Sequence, residues 1–76
     1  MRQRIEISRN GVWAGVGVWT GEEIVDSPAV LGDTQEESDE VYEAIADAIE
    51  SGEEMVEVGV DGETCYTWTL GMVHEA

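Results

Sequence analysis

The 76-residue chain contains no lysine and no phenylalanine, a single cysteine, a single histidine, a single proline and three arginines. The scarcity of cations, of cysteine and of histidine each removes a class of function. Three cations against 18 Asp and Glu leave a formal charge of −15, and phosphate contacts need Lys and Arg, so direct binding of DNA or RNA is excluded as the main activity. Cys65 has no second cysteine for an internal disulfide and only His74 for company, which leaves no zinc ligand set. Nucleophilic catalysis would have to use His74, the one imidazole, as its base, so the chain is expected not to be an enzyme. No run of about 18 apolar residues and no basic stretch leading an apolar one is present, and the expectation is a cytoplasmic protein without a membrane span.

No cofactor or metal is expected. Gly15-Val16-Gly17 resembles part of a dinucleotide-binding fingerprint but lacks the third glycine and precedes no helix. No oxygen-ligand loop of the calcium type occurs. What is present is enough for one small folded domain over residues 1–76: 42% hydrophobic residues, three Trp and two Tyr, more than a disordered acidic tail carries.

Arg4-Ile5-Glu6-Ile7-Ser8 alternates with the period of a half-buried strand, and Asn10-Gly11 supplies a tight type I′ turn. With two turn residues, Ile7 lies opposite Ala14 and Ile5 opposite Val16, so Ile5, Ile7, Val12, Ala14, Val16 and Val18 are predicted to share the inner face. Trp13 and Trp19 then lie on the other face with Gly15 and Gly17, either covering the glycines or forming an aromatic contact face. Thr20-Gly21 turns the chain into a short third strand, Glu22-Glu23-Ile24-Val25, which Asp26-Ser27-Pro28 ends. A loop over 27–33 is expected to turn Val30 and Leu31 inward.

Thr34 and Glu37 have the spacing of a capping box, which starts a helix near Gln35. Val41, Ile45, Ala48 and Ile49 fall on one side with Tyr42 beside them, and Gly52 closes a helix ending near Ser51. Val56, Val58 and Val60, then Asp61-Gly62-Glu63, then Tyr66, Trp68 and Leu70 at period two predict a second hairpin. A three-residue loop puts Tyr66 and Trp68 beside the valines, with Cys65 as a small hydrophobe in or near the sheet. The fold class is α+β in the order βββαββ, an antiparallel sheet with one helix packed on one face.

On a helical wheel Glu36, Glu40, Glu43, Asp47 and Glu50 fall within about 40° of one line, with Asp39 beside it, opposite the apolar face. Their spacing puts neighbouring carboxylates on the order of 5 Å apart along roughly 20 Å of helix, a scale comparable to phosphates along a nucleic-acid strand. Like charges at i,i+3 and i,i+4 oppose the helix, and no Lys or Arg tempers them. Glu53 and Glu54 extend the acidity past the helix, and Glu22, Glu23, Asp26 and Asp33 add a second cluster. Such a field favours encounter with a basic protein partner and is screened by salt.

Two resemblances follow. Asp26-Ser27-Pro28, then Gly32-Asp33-Thr34-Gln35-Glu36-Glu37, then Tyr42-Glu43-Ala44-Ile45 and Ile49-Glu50 resemble the core of HicB antitoxins, with Ala29 and Val30 standing where that family has glycine and cysteine. That resemblance implies a small sheet plus helix that masks a basic RNA-cleaving toxin. By size and acidity the chain is similar to phage-encoded anti-CRISPR proteins of the DNA-mimic type. This second resemblance implies a stoichiometric inhibitor, acting in the host cytoplasm, whose carboxylates stand in for phosphates in the channel of a CRISPR effector complex.

The expected binding residues are thus Glu36, Asp39, Glu40, Glu43, Asp47, Glu50, Glu53 and Glu54, with the second cluster in support. The partner is expected to be a basic nucleic-acid-binding effector or nuclease, with no direct nucleic acid and no membrane. A third reading, from a different class, is an acid-adapted domain of a high-salt cytoplasm that oligomerises, for instance as a homodimer, through Trp13 and Trp19.

Overall fold

A computed structural model describes residues 2–72, so His74 lies outside the described residues. The chain forms β1 (Gln3–Arg9), β2 (Val12–Trp19), β3 (Ile24–Val25), α1 (Gln35–Glu50), β4 (Met55–Val58) and β5 (Thr64–Met72), with a 3-10 turn at Val60–Gly62 between the last two strands. All pairings are antiparallel and the spatial order is β3-β2-β1-β5-β4. The architecture is therefore the α+β class in the order βββαββ, with β1 as the central strand and α1 covering one face.

The first hairpin turns as its sequence dictates. Arg9 pairs with Val12 across Asn10 and Gly11, whose φ angles of 50° and 83° are those a type I′ turn requires. The turn is also tied to the far strand. Asn10 N–H donates to the Cys65 carbonyl at 2.7 Å, and its side-chain oxygen accepts from Cys65 N–H at 2.8 Å. Cys65 is half-buried in β5.

Beyond the turn the register departs from a regular hairpin. A bulge between Ile7 and Ser8 leaves Ala14 as the extra residue of β2, so that Ile7 faces Gly15 and Ile5 faces Gly17. One inserted residue exchanges the two faces of a strand. The inner face of β2 consequently carries Gly15, Gly17 and Trp19, while Val16 and Val18 share the outer face with Trp13, and Val12 at the turn is exposed. This corrects the expected inner set and separates the two tryptophans: Trp19 is 5% exposed in the core and Trp13 is 61% exposed on the outer face.

The glycines have a steric reason. A Cβ on Gly15 would stand 2.6 Å from the Ala29 Cβ, and one on Gly17 would stand 3.0 Å from the Ser27 Cβ and 3.2 Å from the Val25 carbonyl oxygen. The segment after β3 therefore lies directly on β2, a close backbone approach that only glycine permits. β3 itself is two residues long, shorter than the expected Glu22–Val25. In the loop that follows, Leu31 is buried as expected, but Val30 is exposed, a second correction.

The helix is capped at both ends. Thr34 Oγ accepts from Glu37 N–H at 3.1 Å, while the Glu37 carboxylate accepts from Asp33 N–H at 2.9 Å, one residue earlier than in a regular capping box. At the other end Gly52 N–H donates to the Ile49 carbonyl and Glu53 N–H to the Ala48 carbonyl, with Gly52 at φ 78°, which is a Schellman motif. Val41 and Ile45 are buried against Ile5, Ile7, Leu31 and Tyr66, with Ile49 and Tyr42 half-buried beside them, and Ala48 is buried as well. Full burial of such side chains contributes roughly 1.5–3 kcal/mol each. Ser38 is buried on the same side and accepts from Leu31 N–H at 3.0 Å, joining loop to helix.

In the second hairpin Tyr66 faces Val56 and Thr64 faces Val58, so Tyr66 and Trp68 share the valines' face as predicted. The register is offset by two residues from the expected one. The connection spans residues 59–63 rather than 61–63, and Val60 sits exposed in the 3-10 turn instead of extending β4. Gly59, Asp61 and Gly62 have φ of 94°, 61° and 63°, a run of left-handed conformations that ends the strand early.

Candidate functional site

The expected stripe is a surface of α1. Val41, Ile45 and Ala48 turn toward the sheet, which leaves Glu36, Asp39, Glu40, Glu43, Asp47 and Glu50 on the solvent side, all exposed. Asp39 alone has a side-chain partner: its carboxylate accepts from Gln35 Nε2 at 3.0 Å, one turn earlier. The ion pairs among the described residues are Arg2–Asp26 at 3.4 Å and Arg4–Glu6 at 3.8 Å. Neither involves the helix. Its first turn carries Glu36 and Glu37 where the macrodipole favours anions, but its last turn carries no cation.

The fold brings part of the second acidic cluster to the stripe. Glu22 and Glu23, on the connection into β3, line an open cleft of about 570 Å³ with Asp39, Glu43 and Asp47 from α1. The cleft's inner wall is Tyr42, Ala29 and Pro28. Tyr42 OH donates to the Ala29 carbonyl at 2.7 Å and fixes this wall to the helix. Burial pushes the Tyr42 phenol above its ordinary pKa of 10.0, opposed by a hydrogen bond with Ser27 and aided by the nearby Tyr66.

The other members of the cluster go elsewhere. Asp26, at φ 52°, is held by Arg2. Asp33 lines a second cleft, of about 380 Å³, on the opposite flank of the helix with Glu37, Glu40, Glu63 and Arg9. Glu53 and Glu54 lie past the helix end and rim a third groove floored by Ile49, Trp68 and Leu70. The stripe is thus the ridge between two acid-lined clefts. Trp19 is in the core and cannot join Trp13 in a contact face, which removes that pair as a site.

The arrangement is a row rather than a chelate. Among the described residues no group of three or more Asp, Glu, His or Cys converges as a metal site would require. Among the same residues no helix is long and apolar enough to cross a membrane. A row of exposed carboxylates outside any ion pair of the described residues can accept several charge-assisted hydrogen bonds at once from Arg and Lys side chains of another protein.

Sequence reasoning missed Glu63 and the meeting of Glu22 and Glu23 with the helix. The second was signalled by Gly15 and Gly17: a strand that must be bare on one side has chain passing over it, and the passing chain is the segment leaving β3. No protein-family model, curated protein or solved structure matches this chain.

Proposed function

We propose that this domain is a non-enzymatic inhibitor that occupies the nucleic-acid site of a basic protein by phosphate mimicry, and that it is a counter-defence protein of the anti-CRISPR type acting on a CRISPR effector complex. The observation that carries the reading is the row of six exposed carboxylates on α1, none of them in an ion pair with the arginines of the described residues. Glu22 and Glu23 across the cleft widen the row into a two-sided acidic surface. An ordinary solvent-facing helix intersperses cations to relieve i,i+4 repulsion. Here the repulsion is retained along the whole helix, which makes sense where a cationic partner supplies the missing charge.

The Lys/Arg channel that holds target DNA in an effector complex has the required chemistry, because it binds a phosphate row by backbone geometry rather than by base identity. Tagged protein is incubated with a lysate containing such complexes, and captured complexes are assayed for target-DNA binding at low and moderate salt. Capture of the effector with DNA binding abolished, weakening as salt rises, is the expected result. Capture of a small basic ribonuclease instead would replace this reading with a HicB-like antitoxin. Capture of neither would favour an acid-adapted domain without mimicry.

A further inference from the structure

The sheet has a second face that none of the described residues covers. Strand pairing places Trp13, Val16, Val18 and Val25 on one side of it and Thr67 and Thr69 on the other, flanking Arg4 and Glu6 of the central strand. On a molecule of charge −15, the strands present only Arg4, Glu6 and Glu57 as charged groups on this face. We propose that it is the interface of a symmetric homodimer, in which a second copy of this chain packs sheet on sheet.

Charge excludes the other ways in which two copies could meet. Helix against helix would oppose two stripes of carboxylates. Edge-to-edge pairing would bring together either β3 edges, flanked by Glu22, Glu23 and Asp26, or β4 edges, preceded by Glu53 and Glu54 and carrying Glu57, and acids on or beside an edge strand repel a second strand. Sheet-on-sheet packing has neither defect. With about 10 Å between sheets and a helix diameter of about 10 Å on each outer side, the two stripes stand roughly 30 Å apart, several screening lengths at physiological salt.

The charges on the central strand also select the symmetry axis. Arg4 and Glu6 lie on either side of Ile5, about 6.6 Å apart along the strand, and their side chains are 54% and 48% exposed, with a mutual N–O distance of 3.8 Å. A two-fold axis in the plane between the sheets, perpendicular to β1 and level with Ile5, brings Arg4 of each copy onto Glu6 of the other. An axis parallel to β1 would oppose Arg4 to Arg4. The self-complementary arrangement is the first, an isologous interface with two reciprocal ion pairs at its centre.

The face measures roughly 20 by 23 Å from strand spacing and length, so two copies bury on the order of 900 Å² in total, which is the size class of a weak, concentration-dependent dimer. The dimer displays two acidic stripes on opposite poles.

Sedimentation equilibrium of the protein alone, from micromolar to millimolar concentration at physiological salt, tests this. The expected mass rises from 8.3 kDa toward twice that value. Arg4→Glu or Glu6→Arg alone should weaken the dimer at least tenfold, and the exchange Arg4→Glu with Glu6→Arg should restore it, with circular dichroism confirming that each variant is folded. A wild-type protein that stays monomeric overturns the proposal. So does a dimer indifferent to the single reversals, or one that the exchange does not rescue.

Discussion

The two sides of this one sheet follow opposite rules of charge. On the helix side every exposed group along α1 from Glu36 to Glu50 that carries charge is an acid, and none forms an ion pair among the described residues. On the outer side a positive and a negative group sit next to each other on the central strand among valines and threonines. Charge is therefore placed differently on the two sides of the sheet. Acids crowd the helix ridge and its two flanking clefts, while the strands of the outer face present only Glu6 and Glu57.

The largest effect that would break this comparison is reversal of the ridge. Glu40→Lys, Glu43→Lys and Asp47→Lys together should abolish partner binding, by more than a hundredfold, because each lost charge-assisted hydrogen bond is worth about 1.5–3 kcal/mol. The same substitutions should leave the helix intact or slightly more stable, by a few tenths of a kcal/mol per relieved pair, as read by thermal melting. The mirror variant lies on the other face: Val16→Glu should disperse the dimer yet leave partner binding within a factor of two.

A second test acts on what joins the two sides. Gly15→Val forces a side chain into space the Ala29 Cβ already occupies, and overpacking of this kind costs about 1–3 kcal/mol. It should also lift the segment that carries the cleft wall, and amide exchange should rise at residues 27–31 before it rises in β1. Asn10→Ala removes the side-chain acceptor for Cys65 N–H and places alanine at φ 50°. Denaturant unfolding should report a loss of about 1–2 kcal/mol.

The smallest effect is on pH. Because burial raises the Tyr42 phenol above 10.0, the unfolded chain releases that proton first, so the tyrosine's contribution to stability is constant below pH 10 and declines as pH rises above it. Tyr42→Phe should cost about 1 kcal/mol at neutral pH through loss of the hydrogen bond to Ala29 and should flatten the decline above pH 10.

Much of this was legible in the sequence because periodicity and caps are local. The order βββαββ, the helix over Gln35–Glu50 with its Thr34 start and Gly52 end, and the stripe itself follow from spacing alone. What was not legible depends on single-residue insertions. Asn10-Gly11 fits a two-residue turn equally well with or without a bulge at Ala14, yet the bulge decides that Trp19 enters the core and Val16 and Val18 leave it. Asp61-Gly62 likewise marks a turn without fixing its length, and the five-residue connection moves Tyr66 from Val58 to Val56 while keeping it on the same face. The meeting of Glu22 and Glu23 with the helix is tertiary: it requires β3 at the sheet edge and a loop laid across two glycines.

The most direct test of the central claim is a competition measurement on a purified CRISPR effector complex, in which target-DNA binding is titrated with the wild-type domain and with the Glu40→Lys, Glu43→Lys, Asp47→Lys variant. Phosphate mimicry predicts that the wild type displaces DNA stoichiometrically and that the folded variant does not displace it at any ratio. Equal displacement by both proteins would contradict it.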